Sequence, residues 1–262
     1  MPLRCVSPLL VSVFLGAFLT WGCATTSVKQ DPAAAQAELD SVIAHLKSRQ
    51  EISGTLFVTA KIKGEHVTAP AVMLVQWPDK VRLEIQDPVG STLALFVVNG
   101  TQFWLYQKSL PDILTGPLSR LPAGLGLISQ GKEFVRAFLA RPPLEEWRNP
   151  VIEGHSAKPR VAPDLGAVRP AEVRWSDRLR EPEEWVSGHA NGTVSTFRYE
   201  DYQARAGVSF PQKISLTHAN SEGFSETASF AWRDWQPFVP QEKKLFQIPQ
   251  QQLFGRKIKA LH

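Results

Sequence analysis

Cys23 carries the chemistry that this chain advertises most openly. A thiol is a nucleophile that an oxidising compartment does not leave alone, and the chain's other cysteine, Cys5, lies upstream in a segment of different character. The six histidines, at positions 45, 66, 155, 189, 218 and 262, never fall at metal-ligand spacing and have no cysteine nearby, so zinc is not expected. No G-x-S-x-G elbow, P-loop or G-x-G-x-x-G fingerprint occurs; Gly124-Leu125-Gly126 lacks a third glycine and sits among prolines. Adjacent carboxylates occur at Glu145-Glu146 and Glu183-Glu184, where loops present them as solvated faces. Neither metal, cofactor nor catalytic residue is expected, and the chain reads as a binding protein, not an enzyme.

The segment before Cys23 explains the thiol. Leu9 to Leu19, broken by Ser12 and Gly16 and preceded by Arg4, is apolar but too short for a comfortable membrane span, so residues 1–22 read as a signal peptide. The run Leu19-Thr20-Trp21-Gly22-Cys23 resembles a bacterial lipobox, although its large apolar residue stands one place further back than usual. The resemblance implies acylation at Cys23 and anchoring in membrane lipid, each acyl chain contributing about 0.8 kcal/mol per buried CH₂. Ala24 follows where an inner-membrane retention signal of enterobacterial lipoproteins would place aspartate, which implies the outer membrane, facing the periplasm. A secreted protein with a stray cysteine, or an uncleaved anchor, fits the same residues.

The elements that must position any binding surface follow after a tether, residues 23–32. Asp31-Pro32 forms a helix start, and Leu39, Val42, Ile43 and Leu46 repeat at helical spacing along one face. From Ile52 the period becomes two. Strands are expected from Ile52 through Ile62, at Val72 to Trp77, Val81 to Ile85, Thr92 to Val98 and Gln102 to Gln107, with Asn99-Gly100 as the strongest hairpin signal. The fourth of these is apolar at consecutive positions and should be covered on both faces. Residues 108–130, rich in proline and glycine, read as loop with at most short turns of helix. Lys132 to Ala140 reads as a second amphipathic helix, ended by Arg141-Pro142-Pro143. Residues 142–171 form a proline-rich insertion with strand pieces near Val151-Ile152. Further strands are expected at Val173 to Trp175, Trp185 to His189, Thr193 to Tyr199, Gln212 to His218, Thr227 to Trp232 and Leu245 to Ile248.

A formal charge of +4 over 262 residues gives nucleic-acid binding little support, and no later segment is apolar enough to cross a bilayer as a helix. The C-terminal lysines and arginines, Lys243, Lys244, Arg256, Lys257 and Lys259, suit either a solvated end or anionic lipid. The fold class expected is α+β: one curved antiparallel sheet forming a half-open barrel over residues 33–262, with the amphipathic helices as a lid over an apolar cavity.

Arg82-Leu83-Glu84-Ile85-Gln86-Asp87-Pro88-Val89-Gly90-Ser91-Thr92 resembles the strand-loop-strand of the LolB family of outer-membrane lipoprotein receptors, with its Asn-Pro-Leu-Gly-Ser-Thr core. Phe134 to Pro143, Tyr199-Glu200-Asp201-Tyr202 and Phe210 to Thr217 are similar to three further family segments, a helix ending in a proline turn, a Tyr-Gly-Gly-Tyr turn and a Pro-x-x-Met-x-Leu-Thr strand. Order and spacing agree over residues 33–240, apart from a longer 142–171 region.

The resemblance implies a cavity for the acyl chains of lipoproteins, delivered by a periplasmic LolA-like carrier and passed on to membrane lipid. The residues expected to line it are Phe57, Val75, Trp77, Phe96, Trp104, Phe134 and Phe138. It also implies a membrane-insertion loop, Pro88, Val89 and Gly90, where valine stands for the family's protruding leucine. The same side chains would serve equally as ordinary core. An envelope lipoprotein of this fold that binds another lipid, or has a structural role in envelope assembly, is the alternative.

Overall fold

The computed structural model describes residues 31–62, 65–121, 131–147, 150–158, 171–176, 180–188, 192–219, 225–237, 243–247 and 257–261. Helix α1 spans Pro32–Lys47 and begins as its residues dictate: Asp31 Oδ1 accepts from Ala33 N at 3.1 Å, and Pro32 occupies the first turn. Five strands follow, β1 (Glu51–Ile62), β2 (Glu65–Gln76), β3 (Lys80–Gln86), β4 (Thr92–Asn99) and β5 (Gln102–Gln107), each antiparallel to the last. This is the meander that the alternation predicts, with β2 longer than expected.

The segment expected to be loop with at most short helical turns has such a turn, a 3-10 turn at Leu118–Arg120, but also contains an unexpected strand, β6 (Ile113–Pro117). Proline at its end and Gly116 hide the strand from propensity, but the edge of β5 offers it a ladder and β14 (Ile258–Ala260) pairs with its other side in parallel. A Cβ on Gly116 would press into Leu261 O, so glycine is what allows that close approach. Helix α2 spans Gly131–Phe138. Short strands β7 (Val151–Glu153), β8 (Ser156–Lys158) and β9 (Glu172–Trp175) lead into the long strands β10 (Pro182–Gly188), β11 (Val194–Arg205), β12 (Val208–Ala219) and β13 (Ser225–Pro237).

Two further expectations are corrected. Tyr199-Glu200-Asp201-Tyr202 is no turn: it lies within β11, where Asp201 takes φ +60° and drops out of the ladder to β12 while the register stays the same on either side. The hairpin itself turns at Ala206-Gly207, both at positive φ. Residues 245–246 are not strand but the end of a 3-10 turn, Lys243–Phe246.

All fourteen described strands belong to one sheet in the order β14-β6-β5-β4-β3-β2-β1-β13-β12-β11-β10-β9-β8-β7. Pairing of β1 with β13 joins the N-terminal meander to the C-terminal one. Gly54 sits at that join, where any Cβ would overlap the Asp234 carbonyl. The sheet stays open, and both helices pack on its inner face: Leu39, Val42 and Leu46 of α1 and Phe134, Val135 and Phe138 of α2 share one core with Leu56, Met73, Val81, Phe96 and Trp232. β4 is covered on both sides as its sequence requires. Phe96 and Val98 enter the main core, while Leu95 and Val97 meet Phe246 on the outer face. No helix among the described residues is long and apolar enough to cross a membrane.

Candidate functional site

Strand registers stack the inner face into rungs. Trp185, Phe197, Leu216, Ala228, Ala60 and Val67 face one another across β10, β11, β12, β13, β1 and β2. The next rung inward runs Tyr199, Ile214, Phe230, Val58 and Ala69. Both are almost wholly apolar. Trp185 stacks on Phe197 at 4.7 Å, and Phe138 of α2 meets Phe230 edge-on at 4.6 Å, so the helix closes the inner rungs while the outer ones run toward the open end. There Val67 keeps 46% of its surface exposed although it belongs to the apolar inner face.

The rung at that end is polar. Ser187, Ser195, His218 and Glu226 are successive register partners across β10 to β13, and Ser195 Oγ lies 3.0 Å from His218 Nδ1. Glu133 of α2 hydrogen-bonds Ser187; burial pushes its carboxyl up to about 7, against the lowering pull of that bond and of Arg136. Lys132, Glu133, Arg136, Pro143, Glu146, Trp185 and Ser187 surround a cleft of about 430 Å³.

Two charged clamps hold α2 over the sheet. At one, Trp77 lies under Arg141, Arg136 and Lys132 with centroid distances of 4.1, 4.8 and 5.7 Å. Glu146 in turn accepts from Lys132 and from Arg136, each at 2.6 Å. At the other, wholly buried Arg49 donates to Ala140 O at 2.8 Å and pairs with Glu181, which also meets His45 at 3.0 Å. Burial works to raise the Glu181 pKa, but the His45 and Arg49 contacts overcome it and hold the carboxyl below its usual range.

The seven side chains expected to line a cavity divide. Val75, Phe96, Phe134 and Phe138 are buried in the inner core, and Phe134 and Phe138 touch at 4.6 Å. Trp77 is half-buried at the edge of that core, beneath the cations. Phe57 and Trp104 are corrections, because both point to the outer face. Phe57 is 37% exposed under Arg233, and Trp104 packs with Leu95, Val97 and Phe246. Each stands one residue out of phase with its inner neighbours, Leu56 in one strand and Phe103 and Leu105 in the other, and in a two-residue period that single step exchanges the faces.

Pro88, Val89 and Gly90 form a tight turn between β3 and β4. Asp87 Oδ1 accepts from Val89 N at 3.0 Å and Ser91 N at 2.8 Å, and Gly90 N donates to Asp87 O at 2.9 Å. Gly90 takes φ +87°, and Val89 is 87% exposed. Cys23 lies outside the described residues, as do the signal segment and most of the second half of the 142–171 insertion.

Sequence reasoning missed Glu133, Trp185 and the polar rung. A signal existed: Ser195 continues the core-facing phase of Phe197 and Tyr199, and His218 that of Ile214 and Leu216, so a polar residue stands where alternation calls for an apolar one.

No family model and no curated protein matches the chain. Among solved structures it resembles a domain described as an outer membrane lipoprotein-sorting protein from Vibrio parahaemolyticus, with a TM-score of 0.56 at 13% identity over 81% of this chain and 97% of that one. A LolA superfamily protein from Nitrosomonas europaea matches with a TM-score of 0.49 at 12% identity, again over 81% and 97% of the two chains. The chain thus shares the fold of the Vibrio lipoprotein-sorting domain, one open and mostly antiparallel sheet with helices over its inner face.

Proposed function

We propose that this chain is an outer-membrane-anchored lipoprotein that accepts lipoproteins from a periplasmic LolA-like carrier and inserts them in the outer membrane. Acyl chains pass from a looser carrier to the apolar rungs, and from there into the bilayer, by differences in affinity and without covalent chemistry. The observation that carries the reading is Val89. An apolar side chain held in solvent on a rigid turn gains nothing in folding, and it suits a residue that dips into lipid. Acylation at Cys23 would keep that turn near the membrane surface.

A Cys23→Ala form lacking residues 1–22, mixed with a carrier loaded with radiolabelled lipoprotein, tests the reading. Label moving to this protein is the expected result. A folded receptor that takes none from a competent carrier would leave an envelope lipoprotein of the same fold that binds another lipid. That second reading draws on the close packing of Val75, Phe96, Phe134 and Phe138 beneath α2.

A further inference from the structure

The open end of the barrel joins two kinds of surface that an amphiphile would need together. Inward lie the apolar rungs. At the rim lie hydroxyls, an imidazole and carboxylates, in the fixed order Ser187, Ser195, His218 and Glu226, with Glu133 bonded to the first. Between them stands Trp185, which is 2% exposed, lines the cleft, and has a buried indole N–H without a hydrogen-bond partner among the described residues. The buried hydroxyl of Tyr199, one rung further in, has none either. Buried donors without acceptors are costly, and a ligand that brings carbonyl oxygens to them removes that cost.

The charges around the cleft define which head group fits. Glu226 closes the polar row with a carboxylate that disfavours an anion there. Glu133, whose carboxyl burial pushes up to about 7, lines the cleft as a group that keeps its proton up to near-neutral pH. Lys132 and Arg136 also line it, but each already donates to Glu146, and Arg136 meets Glu145 as well. A phosphate would have to compete with those carboxylates for its cations. Ser195, His218 and Glu226 also have the order of a nucleophile, base and carboxylate, yet the serine is only 5% exposed, which suits a hydrogen-bonding rung and not an attacking hydroxyl.

We propose that this rim is a head-group subsite for the diacylglyceryl-cysteine end of an acylated protein: Trp185 and the polar row bind its uncharged ester and amide groups, and Glu226, at the end of that row, turns phosphate-bearing lipids away. The proposal rests on the acyl-binding reading above and names what that site selects.

The test uses the protein isolated from bacterial membranes in a non-ionic detergent, with native mass spectrometry as readout. Three probes of equal chain length compete: a cysteine tetrapeptide bearing an ester-linked diacylglyceryl group, its ether-linked analogue, and phosphatidylglycerol. The ester lipopeptide is expected to bind about three- to tenfold more tightly than the ether form, the range that hydrogen bonds to carbonyls supply. Trp185→Phe, which keeps the ring on Phe197, should narrow that gap, and Glu226→Gln should raise phosphatidylglycerol binding; unfolding midpoints report whether either variant still folds. Equal binding of ester and ether forms, or phosphatidylglycerol matching the lipopeptide on the unmutated protein, would overturn the subsite and leave the acyl-binding reading in place. No binding of any lipopeptide would overturn both.

Discussion

The guanidinium of Arg141 lies 4.1 Å from the centre of the Trp77 ring, so the chain just after α2 is stacked on the chain just after β2. Burial pulls the Arg141 pKa down while Glu145 opposes that change, and the Nε and Nη1 of Arg141 have no hydrogen-bond partner among the described residues. The aromatic face is therefore a main compensation for a cation taken out of water. Trp77→Ala should cost about 2–4 kcal/mol, by lost packing and by stranding Arg141. Trp77→Phe should keep most of that stability. Urea unfolding of the two variants beside the parent protein measures the difference.

The Arg49–Glu181 pair makes a second, independent clamp. Both side chains are almost completely buried, and Arg49 also ties down Ala140 O just past the end of α2. Glu181→Gln or Arg49→Met alone should destabilise by about 3–5 kcal/mol, because each leaves a buried charge without its partner. The double variant should lose less than the sum of the two. A double-mutant cycle in urea checks this, and strict additivity would contradict the coupling.

Glu133 makes stability depend on pH in a set direction. Its carboxyl rises from 4.5 to about 7 on folding, so the folded chain holds that proton more tightly than the unfolded one. The resulting stabilisation is complete below the unfolded value, fades as pH climbs through about 7, and amounts to about 3 kcal/mol for a shift of this size. Glu133→Gln should therefore flatten the stability profile between those values and be the more stable protein at pH 8. Parallel unfolding curves across that range, with no difference between parent and variant, would contradict the assignment.

Val89→Glu should leave folding within about 0.5 kcal/mol of the parent, since the side chain is in solvent and the turn is held by Asp87 and Gly90. Uptake of lipoprotein should persist while release into liposomes falls. Delivery by the variant at the parent's rate would remove the membrane role proposed for this loop.

Much of the fold was legible because local rules and tertiary structure agree. Asp31-Pro32 caps α1 as its residues dictate, and the alternation from Ile52 onward becomes β1 to β5. Failures fall where pairing overrides propensity. β6 exists because β5 and β14 flank it, and Leu245-Phe246 leave strand geometry because the outer face of β4 needs Phe246 as a cover. Phe57 and Trp104 look like cavity residues by type, and only register shows which face they occupy.

By itself the sequence determined the N-terminal apolar segment before Cys23, the two amphipathic helices, the antiparallel class of the sheet and the tight turn at Pro88-Val89-Gly90, but not that Val89 stays in solvent. Those properties are written within short windows, where periodicity, capping and turn chemistry act. Only the tertiary structure decided that β1 pairs with β13, that Ser187, Ser195, His218 and Glu226 form one polar rung, and that Trp77 and Arg49 clamp α2. These are meetings of residues far apart in the chain, and they depend on strand register and burial, which no local pattern encodes.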